Sequence, residues 1–198
     1  ALLRLGEDEY LAVLPDFPAI ELLPMLQRFV FRTKVRLREV TELVACADLE
    51  PFNDQAGARD AFQGSGDSGL RLDFGSGSVT RQLVLLPPSS AEVGEPDAAC
   101  DCDWMGMDLA HGLPRLDRGQ RESWTPQMLS LERLHAFSLK KGCYPGQEIV
   151  ARTHYLGQAR RGLRRVLGHG LEPGATLRNA EGDPIGSIIC VTPDAESG

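Results

Sequence analysis

The sequence predicts an α+β fold, in which helices cover one face of an antiparallel sheet, followed by a small barrel or sandwich of short strands. Two observations support this. Strand-like and helix-like patterns follow in the order strand, strand, helix, strand over the first 40 residues. From Gly162 onward, glycine and proline separate short apolar runs, which is typical of short strands joined by turns.

The elements of the first 40 residues follow from the spacing of apolar side chains. Strand-like runs at 1–5 and 10–14 flank a polar turn and predict a hairpin. Apolar residues at helical spacing predict an amphipathic helix over 20–30, with Pro24 in its first turn. Strict alternation over 34–40 predicts a half-buried strand with a basic outer face.

The remaining elements are predicted from the same criteria. They are strands over 70–74, 82–86, 163–167, 175–177 and 185–191, and helices or helical turns over 104–112, 127–137 and 147–156. In the last helix, Ile149, Val150, Thr153 and Leu156 are predicted to point inward. A domain boundary is predicted after residue 156, so that 1–156 form the main domain and 157–198 begin the barrel.

Composition narrows the class of protein. The chain has 198 residues, of which 42% are hydrophobic and 25% charged, as in ordinary soluble globular proteins. Its formal net charge of −7 disfavours binding of nucleic acid over the whole surface. It contains no bilayer-spanning apolar run and no signal-peptide pattern, and its five cysteines are scattered. We therefore expect a cytoplasmic protein without direct contacts to nucleic acid or membrane.

Two short patterns resemble ligand sites by their letters alone. Gly64, Gly66 and Gly69 match the dinucleotide fingerprint, but a strand-like run follows where that fingerprint needs a helix, so a flexible loop is predicted. Cys100 and Cys102 provide two soft metal ligands at short spacing. A structural zinc site, however, needs four ligands, and an iron–sulfur cluster needs several thiolates. No metal site is predicted.

The segment 140–148, Lys-Lys-Gly-Cys-Tyr-Pro-Gly-Gln-Glu, has the features of a reactive-thiol site. Its glycines permit a tight turn, and Pro145 disfavours helix before it. Cys143 precedes a predicted helix N-terminus and follows two lysines, and both features favour the thiolate form. The alternative is a small cysteine buried in a turn for packing. The residues alone leave both interpretations open.

This segment resembles the signature of the YgfZ family, Lys-Gly-Cys-Tyr-x-Gly-Gln-Glu. Its flanks resemble the family as well, densely over 126–165 and loosely elsewhere. The functional motif that the resemblance implies consists of Lys141, Gly142, Cys143, Tyr144, Gly146, Gln147 and Glu148.

The resemblance implies an aminomethyltransferase-like folate-binding fold with a ferredoxin-like α/β sandwich portion and a C-terminal β-barrel. It implies tetrahydrofolate or a derivative as cofactor, and Cys143 as a functional thiol. It also implies an accessory role for iron–sulfur enzymes, with client or assembly proteins as partners, and through them a role in tRNA modification.

Two departures from the family pattern qualify these implications. The family's N-terminal segment, which supplies much of its folate pocket, has no counterpart before Ala1, so we expect a fragment. The related aminomethyltransferases have an acidic residue where this chain has Ala110, and Asp108 lies two positions away. A folate-dependent one-carbon transferase and a non-enzymatic docking module therefore remain as alternative functions.

An arginine-rich stretch follows the motif. No acidic residue occurs between 151 and 165, and Arg152, Arg160 and Arg161 are candidates for binding an anion such as a folate tail, a phosphate or RNA. The alternative is a solvated charged surface. Solvent access to Cys143 discriminates among the hypotheses. A position at the rim of a deep cleft favours the accessory protein or the transferase, whereas a thiol buried against core residues leaves only a structural role.

Overall fold

The computed structural model describes residues 1–32, 34–52, 62–65, 68–76, 79–157 and 161–192. The chain packs as two compact units, Ala1–Trp104 and Met105–Gly198. The predicted boundary after residue 156 falls inside the second unit and stays a prediction. Strands and helices occur in both units, which confirms the α+β class.

The first unit begins with the predicted hairpin. Strands β1 (Leu2–Arg4) and β2 (Tyr10–Ala12) pair antiparallel, with Leu3 opposite Leu11. Leu3 is buried, whereas its two strand neighbours are exposed, as the alternation of side chains along a strand requires. The hairpin thus contributes the buried Leu3 and the partly buried Leu11 to the core of this unit.

Helix α1 spans Ala19–Gln27, so it begins one residue before the predicted range of 20–30 and ends three residues before its end. The prediction that Pro24 lies in its first turn is wrong, because the helix starts directly after Pro18 and places Pro24 in the second turn. Proline has no N–H to donate, so the backbone bond to the carbonyl of Ile20 is missing there. No side chain of this helix is fully buried.

A four-stranded antiparallel sheet forms the centre of the first unit. Its strands are β3 (Val44–Asp48), β4 (Phe62–Ser65), β5 (Gly69–Asp73) and β6 (Gln82–Leu86), in the spatial order β3-β6-β5-β4. Leu70, Leu72 and Leu85 form a buried cluster with Leu3 of the hairpin. These apolar side chains are the core that holds hairpin and sheet together.

The strand predicted over 34–40 is wrong. These residues have no regular structure, and Leu37 and Val40 are the half-buried ones among them. The strand lies further along the chain, where Val44 pairs with Leu86 and Asp48 with Gln82. Alternation alone does not make a strand, because the backbone also needs a neighbour that accepts its hydrogen bonds.

The glycine pattern lies on a hairpin. Gly64 pairs with Leu70, and Ser65 with Gly69, so the two strands are joined by the short stretch that contains Gly66, which lies outside the described residues. Both Gly64 and Gly69 have a left-handed φ, and a Cβ on Gly64 would collide with the carbonyl oxygen of Gly69. The glycines therefore serve close backbone approach, and no helix follows them.

Helix α2 spans Ala98–Ala110 and begins six residues before the predicted start at 104. The Asp97 side chain accepts a 2.9 Å hydrogen bond from the Ala99 backbone N–H, which explains the earlier start. Helix α3 spans Gln147–Leu156, as predicted. The predicted helix over 127–137 is reduced to a 3₁₀ turn at Leu131–Leu134, and another 3₁₀ turn lies at Arg118–Gln120.

The prediction of the inward face of α3 is largely wrong. Val150 is buried, but Ile149 is 52% and Leu156 84% exposed, because the described residues cover the helix on one narrow side. The chain contains no helix, within its described parts, that is both long and apolar enough to cross a membrane.

The C-terminal barrel is not present in the described residues. Over 161–192, strand pairing is confined to β7 (Thr176–Arg178) and β8 (Pro184–Ser187), which form a two-stranded antiparallel sheet. The strand predicted over 163–167 is absent, and the one over 185–191 is shortened. Two strands leave most of their backbone groups without a neighbouring strand and cannot close on themselves.

Candidate functional site

The motif forms a tight turn that leads directly into α3. The Gln147 backbone N–H donates to the carbonyl oxygen of Tyr144 at 3.1 Å, and those of Ile149 and Val150 donate to the carbonyl of Gly146. Gly146 has φ +82°, a left-handed conformation that favours glycine. Gly142 has ordinary backbone and open space around it, so its glycine is not required by geometry.

Cys143 is exposed in this turn, whereas the other four cysteines are half-buried. Exposure excludes the interpretation of Cys143 as a small buried residue chosen for packing. The thiol lies four residues before the first residue of α3, and Lys140 and Lys141 precede it as exposed cations. Its functional role stays a prediction, but its sulfur is accessible to a reagent or partner.

The other motif residues brace the turn. The Lys141 ammonium lies 5.1 Å from the centre of the Tyr144 ring, within the range of a cation–π contact. The Tyr144 hydroxyl is buried and has no hydrogen-bond partner among the described residues. Gln147 begins α3, and the exposed Glu148 lies in its first turn, where a carboxylate is favoured by the helix dipole.

Gln127 connects the segment upstream of the motif to α3. Its side chain is buried, and its amide nitrogen donates to the Val150 carbonyl oxygen at 2.9 Å, while its amide oxygen has no described partner. Residue spacing does not predict this contact, because the two residues are 23 positions apart in the chain.

The residues around the 3₁₀ turn Leu131–Leu134 contact both α3 and the segment that follows it. The Ser130 hydroxyl oxygen accepts a 2.9 Å hydrogen bond from the Leu163 backbone N–H. Two residues later, a Glu132 carboxylate oxygen lies 3.5 Å from Nδ1 of His154. The C-terminal half of α3 and the arginine-rich stretch therefore lie against the same short segment.

Arg133 fixes the C-terminal end of α2. Its guanidinium donates to the carbonyl oxygen of His111 at 2.7 Å and also to that of Gly112. A Cβ on Gly112, whose φ is +66°, would collide with this guanidinium. Cations favour the carbonyl end of a helix, so this contact is stabilising electrostatically as well as by hydrogen bonding. Sequence reasoning did not identify Arg133.

A cavity of about 420 Å³ lies within the second unit, a size typical of small-molecule sites. Its walls come from the end of α2, the arginine-rich stretch and the segment after β8. Three arginines line it (Arg133, Arg164 and Arg165), and so does Ala110. No aspartate or glutamate is found among its described lining residues, so its charged lining is entirely positive. Cys143 is not part of this lining.

A folate has an apolar aromatic body with carboxylates at one end, and the cavity residues fit that end. The arginines suit carboxylates, and leucine and isoleucine side chains supply the apolar wall. A side-chain carboxylate for the pterin is missing. Asp108 is buried, 3.1 Å from the Arg115 guanidinium, and lies outside the lining. The cavity residues thus match the anionic part of the ligand only.

Of the three anion-binding candidates, Arg152 and Arg161 are exposed, and neither forms a salt bridge with a carboxylate in the described part of the chain. Arg160 lies outside the described residues. Arg164 and Arg165 belong to the same predicted arginine-rich stretch but were not among these three candidates, and both line the cavity.

Cys100 and Cys102 lie in the first turns of α2 and are both half-buried. Within the described residues, no group of three or more histidine, cysteine, aspartate or glutamate side chains is arranged to hold a metal ion. Burial raises the pKa of the Cys100 thiol, and the negative charges of four aspartates raise it further. These are Asp97, Asp101, Asp103 and Asp48.

Comparisons with known proteins identify relatives that share part of the sequence. No family model matches the chain. It is 33% identical over 93 residues to the tRNA-modifying protein YgfZ of Cronobacter sakazakii. This matched segment covers 46% of this chain and 28% of that protein. It is 39% identical over 79 residues to the protein of the same name from Edwardsiella ictaluri, covering 40% and 23%.

A third relative has the same name, in Pectobacterium carotovorum, and is 36% identical over 91 residues, which is 43% of this chain and 27% of that protein. The matched segments thus span only about a quarter of the length of these curated relatives.

Proposed function

We propose that the chain belongs to the YgfZ family, on the basis of this sequence similarity, and that it contributes to tRNA modification as a folate-binding accessory protein for iron–sulfur enzymes. Cys143 acts as its functional thiol. The single observation that carries the proposal is the exposure of Cys143 in a turn whose other residues brace it. The name of these relatives, tRNA-modifying protein, supplies the link to tRNA.

The geometry of the turn supports a chemical role for the thiol. Cys143 precedes the N-terminal end of α3, and Gly146 in its left-handed conformation directs the chain into that helix. Exposed cysteines near helix N-termini and lysines are typical of reactive rather than structural thiols. Five free cysteines without a disulfide among them suit the reducing cytoplasm, where we place the protein.

The cavity supports a folate ligand through its charge. Three arginines and no described acidic residue line it, which favours the glutamyl carboxylates of folate. The same lining disfavours an aminomethyltransferase, since Ala110 stands where that activity is associated with a carboxylate and lines the cavity itself. An accessory role therefore fits this chain better than one-carbon transfer.

The thiol is tested in cells whose only copy of the protein has Cys143→Ala. Thiolated nucleosides in total tRNA are quantified by liquid chromatography and mass spectrometry, with Cys46→Ala as the matched control. We expect the thiolated fraction to fall in the Cys143 variant and to stay at the wild-type level in the control. Equal levels in all three strains would remove Cys143 from the proposed function.

The ligand is tested by titrating tetrahydrofolate into the purified protein by calorimetry, with Cys143→Ala in parallel. We expect both proteins to bind, because Cys143 lies outside the cavity lining. Absence of binding by the wild-type protein would remove folate from the proposal and leave a docking module. Loss of binding in the variant alone would make the thiol part of the ligand site.

A further inference from the structure

Exposed arginines that form no salt bridge in the described part of the chain lie close together in the sequence of the second unit. The arginine surface consists of Arg152, Tyr155, Arg161, Arg164 and Arg165, all exposed. From residue 149 to 171 the sequence contains no aspartate or glutamate, although the whole chain has 28 acidic residues and a net charge of −7. The positive charge is therefore strongly segregated along the chain.

Two contacts bring the parts of this surface together. The Leu163 backbone N–H donates to Ser130 Oγ at 2.9 Å, which anchors the arginines on either side of it. His154 in α3 lies 3.5 Å from Glu132, only two residues away from that anchor. Arg152 and Tyr155 are three positions apart and share the exposed side of α3.

These arginines differ from Arg38, Arg71 and Arg115 by their lack of carboxylate partners in the described part of the chain. Arg38 contacts Glu42, Arg71 contacts Asp48 and Glu92, and Arg115 contacts Asp108. None of the four guanidinium groups of the arginine surface lies within salt-bridge distance of a carboxylate in the described part of the chain. Arg152 and Arg161 are thus available to an external polyanion, and so are Arg164 and Arg165 where no folate carboxylate occupies the cavity that they line.

An exposed aromatic ring adjoins these charges. Tyr155 is 70% exposed, and its ring centre lies 4.9 Å from that of His154 in an edge-to-face contact. Proteins that bind unpaired bases combine arginines for the phosphates with aromatic rings on which the bases stack. An acidic protein surface would also pair with the arginines, but the exposed tyrosine favours RNA, because an unpaired base can stack on its ring.

We propose that the arginine surface binds tRNA directly, with the guanidinium groups on backbone phosphates and Tyr155 against an unpaired base. The choice of tRNA rests on the proposed function, whereas the preference for RNA rests on the surface itself. The expectation of no contact with nucleic acid rested on net charge. Charges are screened beyond about 8–10 Å at physiological salt, so the attraction of RNA depends on the local arginine cluster more than on the net charge of the chain.

The test measures fluorescence anisotropy of fluorescein-labelled total tRNA titrated with the purified protein. We expect Arg164→Glu/Arg165→Glu to weaken binding by about tenfold or more, because two phosphate contacts are removed and reversed. Arg32→Glu/Arg36→Glu makes the same change of net charge on exposed arginines of the first unit, and we expect less than about a twofold effect. The logarithm of wild-type affinity should fall with the logarithm of salt concentration with a slope of about −3.

Tyr155→Ala provides a second variant that does not alter charge. We expect it to weaken binding by about fivefold to tenfold, through lost stacking, with the salt slope unchanged. Circular dichroism melts establish that each variant is folded. If the double arginine variant does not fold, the tyrosine variant and the salt dependence of wild-type binding decide whether the proposal holds.

Three outcomes overturn the proposal. They are the absence of wild-type binding at low salt, equal weakening in the two double variants, and competition by poly-L-glutamate as effective per charge as that by unlabelled tRNA. The failures of the two proposals are distinguishable. Without tRNA binding, an effect of Cys143→Ala on thiolation would retain the proposed function and discard the surface. If the protein binds tRNA but Cys143→Ala does not change thiolation, the arginine surface is retained and the proposed role of Cys143 is discarded.

Discussion

The side-chain amide of Gln127 donates a 2.9 Å hydrogen bond to the backbone carbonyl oxygen of Val150. Both residues are buried, and Val150 is the buried residue of α3. The contact attaches the helix that follows the Cys143 turn to the segment upstream of it. The position of the turn therefore depends on a pair of residues that lie outside the motif.

Replacing Gln127 with alanine should loosen this attachment. We expect Gln127→Ala to lower the free energy of unfolding by about 1 kcal/mol, because a buried hydrogen bond and packing are lost. Urea denaturation followed by circular dichroism measures the change. The exposed Gln27 in α1 serves as control, and Gln27→Ala should remain within about 0.5 kcal/mol of wild type. Similar values for the two variants would contradict a structural role for the Gln127 contact.

The two glycines of the motif should respond differently to the same substitution. Gly146 has φ +82°, so Gly146→Ala should destabilise the protein by about 1–2 kcal/mol through left-handed backbone strain. Gly142 has no such φ and no atom near an added Cβ, so Gly142→Ala should have little effect on stability. Urea unfolding of both variants gives the comparison. A Gly142 effect as large as that of Gly146 would refute this account of the turn.

The thiols should differ in their pH dependence of alkylation. Burial, followed by the charges of neighbouring aspartates, raises the pKa of Cys100, so at a given pH less of it is thiolate. Its rate with iodoacetamide should therefore be slow at pH 8 and keep increasing above the ordinary thiol range. Cys143 is exposed and should react first at pH 8. Peptide mass spectrometry resolves the two sites.

Neutralising one aspartate tests the cause of the Cys100 behaviour. Asp101→Asn removes a charge that raises the pKa, so Cys100 should react faster at pH 8 than in wild type. Asp8→Asn, in the β1–β2 hairpin turn, is the control and should leave the rate unchanged. An unchanged rate in the Asp101 variant would rule out that charge as a cause.

The elements predicted correctly are those whose signals are local. The bounds of α3 follow from a proline and a glycine before it and apolar residues within it, and β6 from a short apolar run ended by two prolines. The strand predicted over 34–40 had the right alternation but no partner. A strand depends on a neighbour elsewhere in the chain, which alternation does not report.

The candidate site also contains residues that local patterns predict and residues that depend on distant partners. The motif from Lys141 to Glu148, the turn before α3 and the candidate thiol Cys143 were identified from adjacent letters. Arg133 and Gln127 were missed as site residues, because their partners His111 and Val150 are more than 20 positions away in the chain. Contacts of this kind leave no trace in the spacing of either residue.

The sequence by itself determined the α+β class, the hairpin, the position of α3 and the glycine that begins it, because backbone preference and apolar periodicity act within a few residues. Only the tertiary structure decided that Cys143 is exposed, that Asp108 is paired with Arg115, and that Arg152 and Arg161 have no carboxylate partner among the described residues. Exposure and charge pairing depend on which distant segments pack nearby, and that is settled only when the chain has folded.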